Sequence, residues 1–171
     1  MKSSIGWMAL GALIAGCTSM APTGPSAVAT LEPTMGNTAR GTVTFTQKGD
    51  KVVMRADVTG LTPGGHGFHV HEKGDCSSGD GMSTGGHFNP RGKPHAAHTT
   101  VERHAGDLPM LVADAGGNAS MVVELDVMTV GAGDADIVGR GLIVHKDPDD
   151  YKTQPTGNSG ARVACAVIRR S

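Results

Sequence analysis

The sequence predicts an all-β fold, a Greek-key antiparallel β-sandwich or barrel carrying two long functional loops. Three observations predict it. Apolar and polar residues alternate in short runs, which marks half-buried strands rather than helices. The chain carries 26 glycines, many of them between these runs, where tight turns are needed. Two polar stretches, 74–109 and 146–160, lack apolar periodicity and are longer than plain connectors, and loops of that length are usually functional.

The strands follow in chain order. Thr42-Val43-Thr44-Phe45-Thr46 alternates. In the next run Val52, Met54, Ala56 and Val58 share one face, and Lys48-Gly49-Asp50 between the two reads as a hairpin turn. Ala119, Met121, Val123 and Leu125 alternate with Ser120 and Glu124, after a turn at Asp114-Ala115-Gly116-Gly117. Gly141–Val144 and Val163–Ile168 are short apolar runs fit for buried strands. Many short strands with glycine-rich turns and no internal repeat point to one sandwich or barrel domain, expected over residues 39–171. The formal net charge of −1 argues against a nucleic-acid binder held by phosphate neutralisation. An aromatic content of 3% argues against base-stacking platforms.

The N-terminus reads as an export signal. Lys2 precedes Ile5–Ala15, a mostly apolar stretch too short to span a bilayer. It ends in Leu13-Ile14-Ala15-Gly16-Cys17, where small residues before a cysteine resemble the lipobox of bacterial lipoproteins. That resemblance implies a lipoprotein signal peptide over 1–16 and a lipid on Cys17. It also implies a periplasmic or cell-envelope protein anchored to a bacterial membrane. The alternative is an ordinary secretory signal cleaved nearby. Residues 17–38, with Pro22 and Pro25 among serines and threonines, are expected to form the lipidated N-terminus and a flexible tether. Two cysteines remain, Cys76 and Cys165, which suggests one disulfide in an exported protein. A loop of that size is worth roughly 4–5 kcal/mol in the chain-entropy picture.

Eight histidines stand against one tryptophan and one tyrosine, and histidine is the commonest metal-ligand side chain. His69-Val70-His71 on a strand would present two imidazoles on one face, with Phe68 and Val70 on the other. His145 ends another apolar run, on a strand that could lie beside the first. The long loop supplies His87, His95, His104 and Asp107. Three histidines and a carboxylate suit tetrahedral zinc, and metal binding can order a loop that has no core of its own. An all-imidazole group suits Cu(II). A single imidazole can serve two metals if it loses both ring protons.

These residues fall in motifs that resemble the copper/zinc superoxide dismutase family. Gly65-His66-Gly67-Phe68-His69-Val70-His71 is similar to the family's copper motif, and Gly86-His87-Phe88-Asn89-Pro90 to the segment of its bridging histidine. His104-Ala105-Gly106-Asp107-Leu108 resembles its zinc segment, and Gly157–Cys165 its C-terminal signature. The resemblance implies copper on His69, His71, His87 and His145, and zinc on His87, His95, His104 and Asp107, with His87 shared. It implies that Asp149 accepts hydrogen bonds from His69 and His95, and that Cys76 pairs with Cys165. His66 matches a packing residue, and His98 is expected to be exposed. Met110 departs from the family, and the short segment 77–86 lacks the lysines many bacterial relatives carry. The implied activity is dismutation of superoxide, with Arg162 attracting the anion and His87 taking part. A homodimer stays open. The rival is a non-catalytic copper-binding or copper-delivery protein on the same fold.

Overall fold

The computed structural model describes residues 24–171. Cys17 and the expected export segment lie outside the described residues. Ten strands appear in order: β1 (Ser26–Pro33), β2 (Arg40–Lys48), β3 (Lys51–Thr59), β4 (Gly64–His66), β5 (Phe68–His71), β6 (Leu111–Ala113), β7 (Ala119–Leu125), β8 (Gly141–His145), β9 (Arg162–Val167) and β10 (Arg169–Arg170). One 3-10 turn, Met82–Thr84, lies in the first long loop. Among the described residues no helix is long and apolar enough to cross a membrane.

The pairings are antiparallel throughout the named strands, and the main sheet runs β5-β8-β9-β1-β2-β3-β7 with β10 on β1. A separate ribbon joins β4 to β6. Only β1–β2, β2–β3 and β8–β9 link chain neighbours; β3–β7, β5–β8 and β1–β9 are Greek-key crossovers. The expected alternation holds in β2 and β3, where Val43, Phe45, Val52, Met54, Ala56 and Val58 are buried. In β7 Ala119 and Leu125 are buried, and Met121 and Val123 pack against the core from a partly buried position. The hairpin turn closes over Gly49 and Asp50, with Lys48 paired to Lys51. Strand β5 is buried on both faces, with Phe68 and Val70 in the hydrophobic core.

The expected tether over 17–38 is corrected where the structure describes it. Ser26–Pro33 forms β1, which pairs with β2 along most of its length and with β9 at Glu32 and Pro33. Ala27, Ala29 and Leu31 point into the core on a period of two. The proline does not break the ladder because it sits at the last position of the strand. Small apolar residues among serine, threonine and proline match a tether in composition, although their alternation is that of a strand. The period carries the structural information.

Leu31→Ala is expected to cost about 2–5 kcal/mol in equilibrium denaturant unfolding of the metal-free protein. Thr30→Ala, on the exposed face of the same strand, should stay within about 0.5 kcal/mol. Equal stability of the two variants would mean that β1 is not part of the core.

Candidate metal centre

The site is built on β5 and β8, whose register pairs His69 with Ile143 and His71 with Gly141. Strand alternation sends His69 and His71 to the face opposite Phe68 and Val70. His145, at the end of β8, joins them where the register with β9 shifts after Val144. The first long loop then folds back on β5. Phe88 N–H donates to Val70 O at 2.8 Å, Val70 N–H to Gly106 O at 2.9 Å, and Gly106 N–H to Phe88 O at 2.9 Å. Gly106 fits there because any Cβ would collide with the Val70 carbonyl oxygen. His87 and Asp107 thereby reach the strand as isolated bridges to His71 and His69. Arg140 caps Phe88, its guanidinium 4.3 Å from the ring centre, and donates to Glu72 O.

Two groups of ligand atoms result. His69, His71, His87 and His145 form one, and His87, His95, His104 and Asp107 the other; within each, all the ligand atoms lie within 4.8 Å of one another, and every member is buried. All the residues expected to hold metal are therefore brought together. In the first group each imidazole uses one nitrogen and leaves the other without a partner. His69 Nε2–H donates to Asp149 Oδ2 at 2.6 Å, His71 Nδ1–H to Gly85 O at 3.0 Å and His145 Nδ1–H to Gly160 O at 3.2 Å. The nitrogens left over are His69 Nδ1, His71 Nε2, His87 Nε2 and His145 Nε2. Four buried, unpartnered nitrogens gathered in one place fit a metal that prefers imidazole donors.

Burial keeps these rings neutral, so their lone pairs are free. It is the main reason His69 and His71 lie below their ordinary values, with His71 pushed down further by its neighbours His87, Arg162 and His145. Burial and the neighbouring histidines bring His87 to about 4 and His145 to about 3.

The second group is organised by Asp107. Its Oδ2 accepts backbone N–H groups of Ala96 and His104, both at 3.1 Å. Its Oδ1 faces Nδ1 of His87 at 3.0 Å, of His95 at 2.9 Å and of His104 at 3.2 Å. Nδ1 of His104 and Nδ1 of His87 stand 3.4 Å apart. Ligands at zinc distances on a tetrahedron are about 3.3 Å from one another, so this set fits zinc. Burial would raise the Asp107 carboxyl, but hydrogen bonds from three histidines hold it far below the usual carboxylate range. For His95 burial works downward and is outweighed by Asp107 and Asp149, which push it up to about 9.

Asp149 ties the groups together. Its Oδ1 accepts His95 Nε2–H at 2.9 Å while Oδ2 accepts from His69, and Tyr151 N–H adds a third bond at 2.7 Å. Gly157, at φ +67°, packs over this contact because any side chain would strike Asp149 and His95. Met110, unexpected from the family pattern, accepts Asp149 N–H on its sulfur at 3.2 Å.

Some contributors were not visible in the sequence. Gln154 bonds both backbone groups of His95, each at 2.8 Å, and Gly85 and Gly160 supply orienting carbonyls. Main-chain acceptors carry no side-chain pattern to detect. His98 is corrected from exposed to half-buried, its Nδ1 out of solvent, in the field of the Arg103–Asp126 ion pair. His66 is buried and packs as expected, with its ring nitrogens on His145 O and Thr62 O, both at 2.8 Å. Cys76 and Cys165 form a disulfide across 89 residues with Cα atoms 6.0 Å apart. Arg162 Nη1 donates to Gly81 O and Thr84 Oγ1, both at 2.7 Å, and Nη2 to Gly85 O at 2.8 Å.

The family model for copper/zinc superoxide dismutase matches residues 39–168. The chain belongs to that family. A Brassica juncea protein named superoxide dismutase (Cu-Zn) 2 is 44% identical over 136 residues, covering 75% of this chain and 88% of its own. The crystal structure of the clock protein EA4 matches with a TM-score of 0.78 and 42% identity, over 89% of this chain and 99% of that one. The family's metals are copper and zinc, and the two ligand groups have the donor chemistry that those metals require.

Removing Asp149 would leave two buried imidazole N–H groups without acceptors. Asp149→Ala should weaken zinc binding by about 10–100-fold, read by competition with a chromophoric chelator. Unchanged zinc affinity would show that Asp107 and the loop alone orient the site.

Proposed function

We propose that this chain dismutates superoxide with copper on His69, His71, His87 and His145 and zinc on His87, His95, His104 and Asp107. The observation that carries the reading is the convergence of four buried, unpartnered imidazole nitrogens beside a tetrahedral set that shares one of their rings. Copper held by those four histidines would supply the one-electron redox chemistry by which two superoxides and two protons become oxygen and hydrogen peroxide.

The protein's residues do the rest. The strand histidines fix geometry, since β5 and β8 are buried and cannot swing. His87 presents Nδ1 to Asp107, His95 and His104 and Nε2 to the other group, so a ring bound on both sides has given up both ring protons. Asp149 fixes the tautomers of His69 and His95 by accepting a proton-bearing Nε2 from each. Arg162 supplies a half-buried positive charge held by three acceptors, and its field lowers both His71 and His145, after burial. That is the charge to draw in and orient a small anion.

The copper-delivery alternative predicts metal binding without superoxide decay. Arg162→Ala, loaded with both metals, should lower the second-order rate of superoxide decay by about tenfold or more in pulse radiolysis. Lys146→Ala and Lys152→Ala should change it far less, because charges at the rim are screened within about 8–10 Å. Loss of rate in a lysine variant with Arg162→Ala unchanged would place the attracting charge at the rim.

We also propose that the protein is exported from a bacterial cell and anchored through a lipid on Cys17. The support is the sequence Leu13-Ile14-Ala15-Gly16-Cys17 after a short apolar stretch. Only a short segment separates Cys17 from β1, so the domain would sit close to the membrane surface. Cys17→Ser should move the protein from the membrane to the soluble fraction or leave it unprocessed. Normal processing with unchanged membrane association would refute the anchor.

A further inference from the structure

The turn that holds Arg162 also carries a carboxylate for which the proposed reaction has no use. Asp80 directly precedes Gly81, whose carbonyl oxygen accepts Arg162 Nη1–H at 2.7 Å. Asp80 Oδ1 accepts Met82 N–H at 2.9 Å, which fixes the carboxylate against the same turn. The side chain is exposed, so its charge faces solvent on the same turn that holds the Arg162 guanidinium. Between Cys76 and Gly86 it is the only charged side chain, and no lysine or arginine in that segment offsets it. The two charges feel each other: burial lowers Arg162, and Asp80 works against that lowering.

We propose that Asp80 is a specificity-determining residue, a charge filter that admits singly charged anions to Arg162 and discriminates against multiply charged ones. This rests on the reading above, in which superoxide reaches the copper ligands past Arg162. Electrostatic energy scales with the product of the charges. A guanidinium alone therefore favours a dianion such as hydrogen phosphate or sulfate over a monoanion of the same size. Such anions would occupy Arg162 and exclude superoxide. A carboxylate on the turn that holds the guanidinium penalises the dianion twice as much, so a factor f for a monoanion becomes f squared. Within a Debye length of about 8–10 Å, one exposed charge changes monoanion association by about twofold and dianion association by about fourfold. The filter costs some capture rate and secures selectivity for the −1 substrate.

Asp80→Asn is the informative variant, because asparagine keeps the oxygen that caps Met82 N–H and removes only the charge. Azide serves as the monoanion and inorganic phosphate as the dianion. Azide binding to the copper- and zinc-loaded protein is followed through the visible copper spectrum, and phosphate through its competition with azide. Asp80→Asn should lower the azide dissociation constant about twofold and the phosphate constant about fourfold at low salt. Both differences should vanish near about 0.5 M salt, where the Debye length is only a few ångströms. The rate of superoxide decay at low salt should rise about twofold. Unchanged metal content and melting temperature would confirm that the variant is folded. An equal change for azide and phosphate, or no change at low salt, overturns the filter. Absence of superoxide decay in the wild-type protein overturns the proposed function, and the anion titrations then still decide whether Asp80 discriminates by valence.

Discussion

A buried imidazole has two nitrogens, and each needs a partner. Much of this structure follows from that constraint. His69, His71, His87 and His145 are buried between strands and loop, where an unpaired polar atom is costly. One nitrogen of three of them is satisfied by the protein, by a carboxylate for His69 and a backbone carbonyl for His71 and His145, while His87 turns its Nδ1 to the Asp107 group. The other is left for a metal. The acceptor on the first nitrogen selects the tautomer, and the tautomer decides which lone pair faces the metal. His69 therefore offers Nδ1 while His71, His87 and His145 offer Nε2. A fold that filled every imidazole position would be more stable without metal and unable to bind it.

The barrel makes that arrangement affordable. Strands β5 and β8 have no exposed residue, so the histidines they carry are placed by a packed core rather than by a mobile loop. The 74–109 segment has no core of its own and borrows rigidity from three sources. Its backbone pairs with β5 through Val70, Phe88 and Gly106. Its disulfide from Cys76 reaches Cys165 in β9. Its carboxylate, Asp107, gathers the Nδ1 atoms of His87, His95 and His104. The second loop is held to the first by Asp149 and by Gln154, which clasps the His95 backbone. Loosening either loop therefore disturbs both ligand groups, because His87 of the first belongs to each and Asp149 of the second bonds His69 in one and His95 in the other.

The sequence made most of this legible, and the misses have physical causes. Alternation in β2 and β3 and the pair His69-Val70-His71 are strong patterns because side-chain direction in a strand repeats every two residues. The same rule applied to Ala27, Ala29 and Leu31 identifies β1, but composition resembling a tether obscured it. The zinc-type group was legible through residue type and spacing. Its supports were not, because Gly85 O, Gly160 O and the Gln154 amide act through the main chain or across a distance in sequence that no local pattern spans. The partial burial of His98, near the inward-folded Arg103 and its partner Asp126, is a tertiary fact with no local trace.

Arg162 shows how the same scaffold sets electrostatics as well as geometry. An exposed arginine is screened by salt and free to swing, and it would steer an anion weakly. Here three acceptors on the Gly81–Gly85 turn hold the guanidinium, and partial burial limits screening. The turn is in turn fixed by the disulfide-bearing segment and by Thr84, whose hydroxyl donates to Gly81 O and accepts from Arg162. Loop, disulfide and cation thus form one unit, and β9 supplies both Arg162 and Cys165 within three residues of each other. The proximity has a mechanical consequence. The covalent bond and the guanidinium contacts fasten the same loop to the same strand, so reduction of the disulfide would leave that turn held by hydrogen bonds, those of Arg162 and those from the Glu72 and Lys73 N–H groups. The placement of the proposed anion-attracting charge is thus tied to a covalent bond that lies outside the candidate metal ligands.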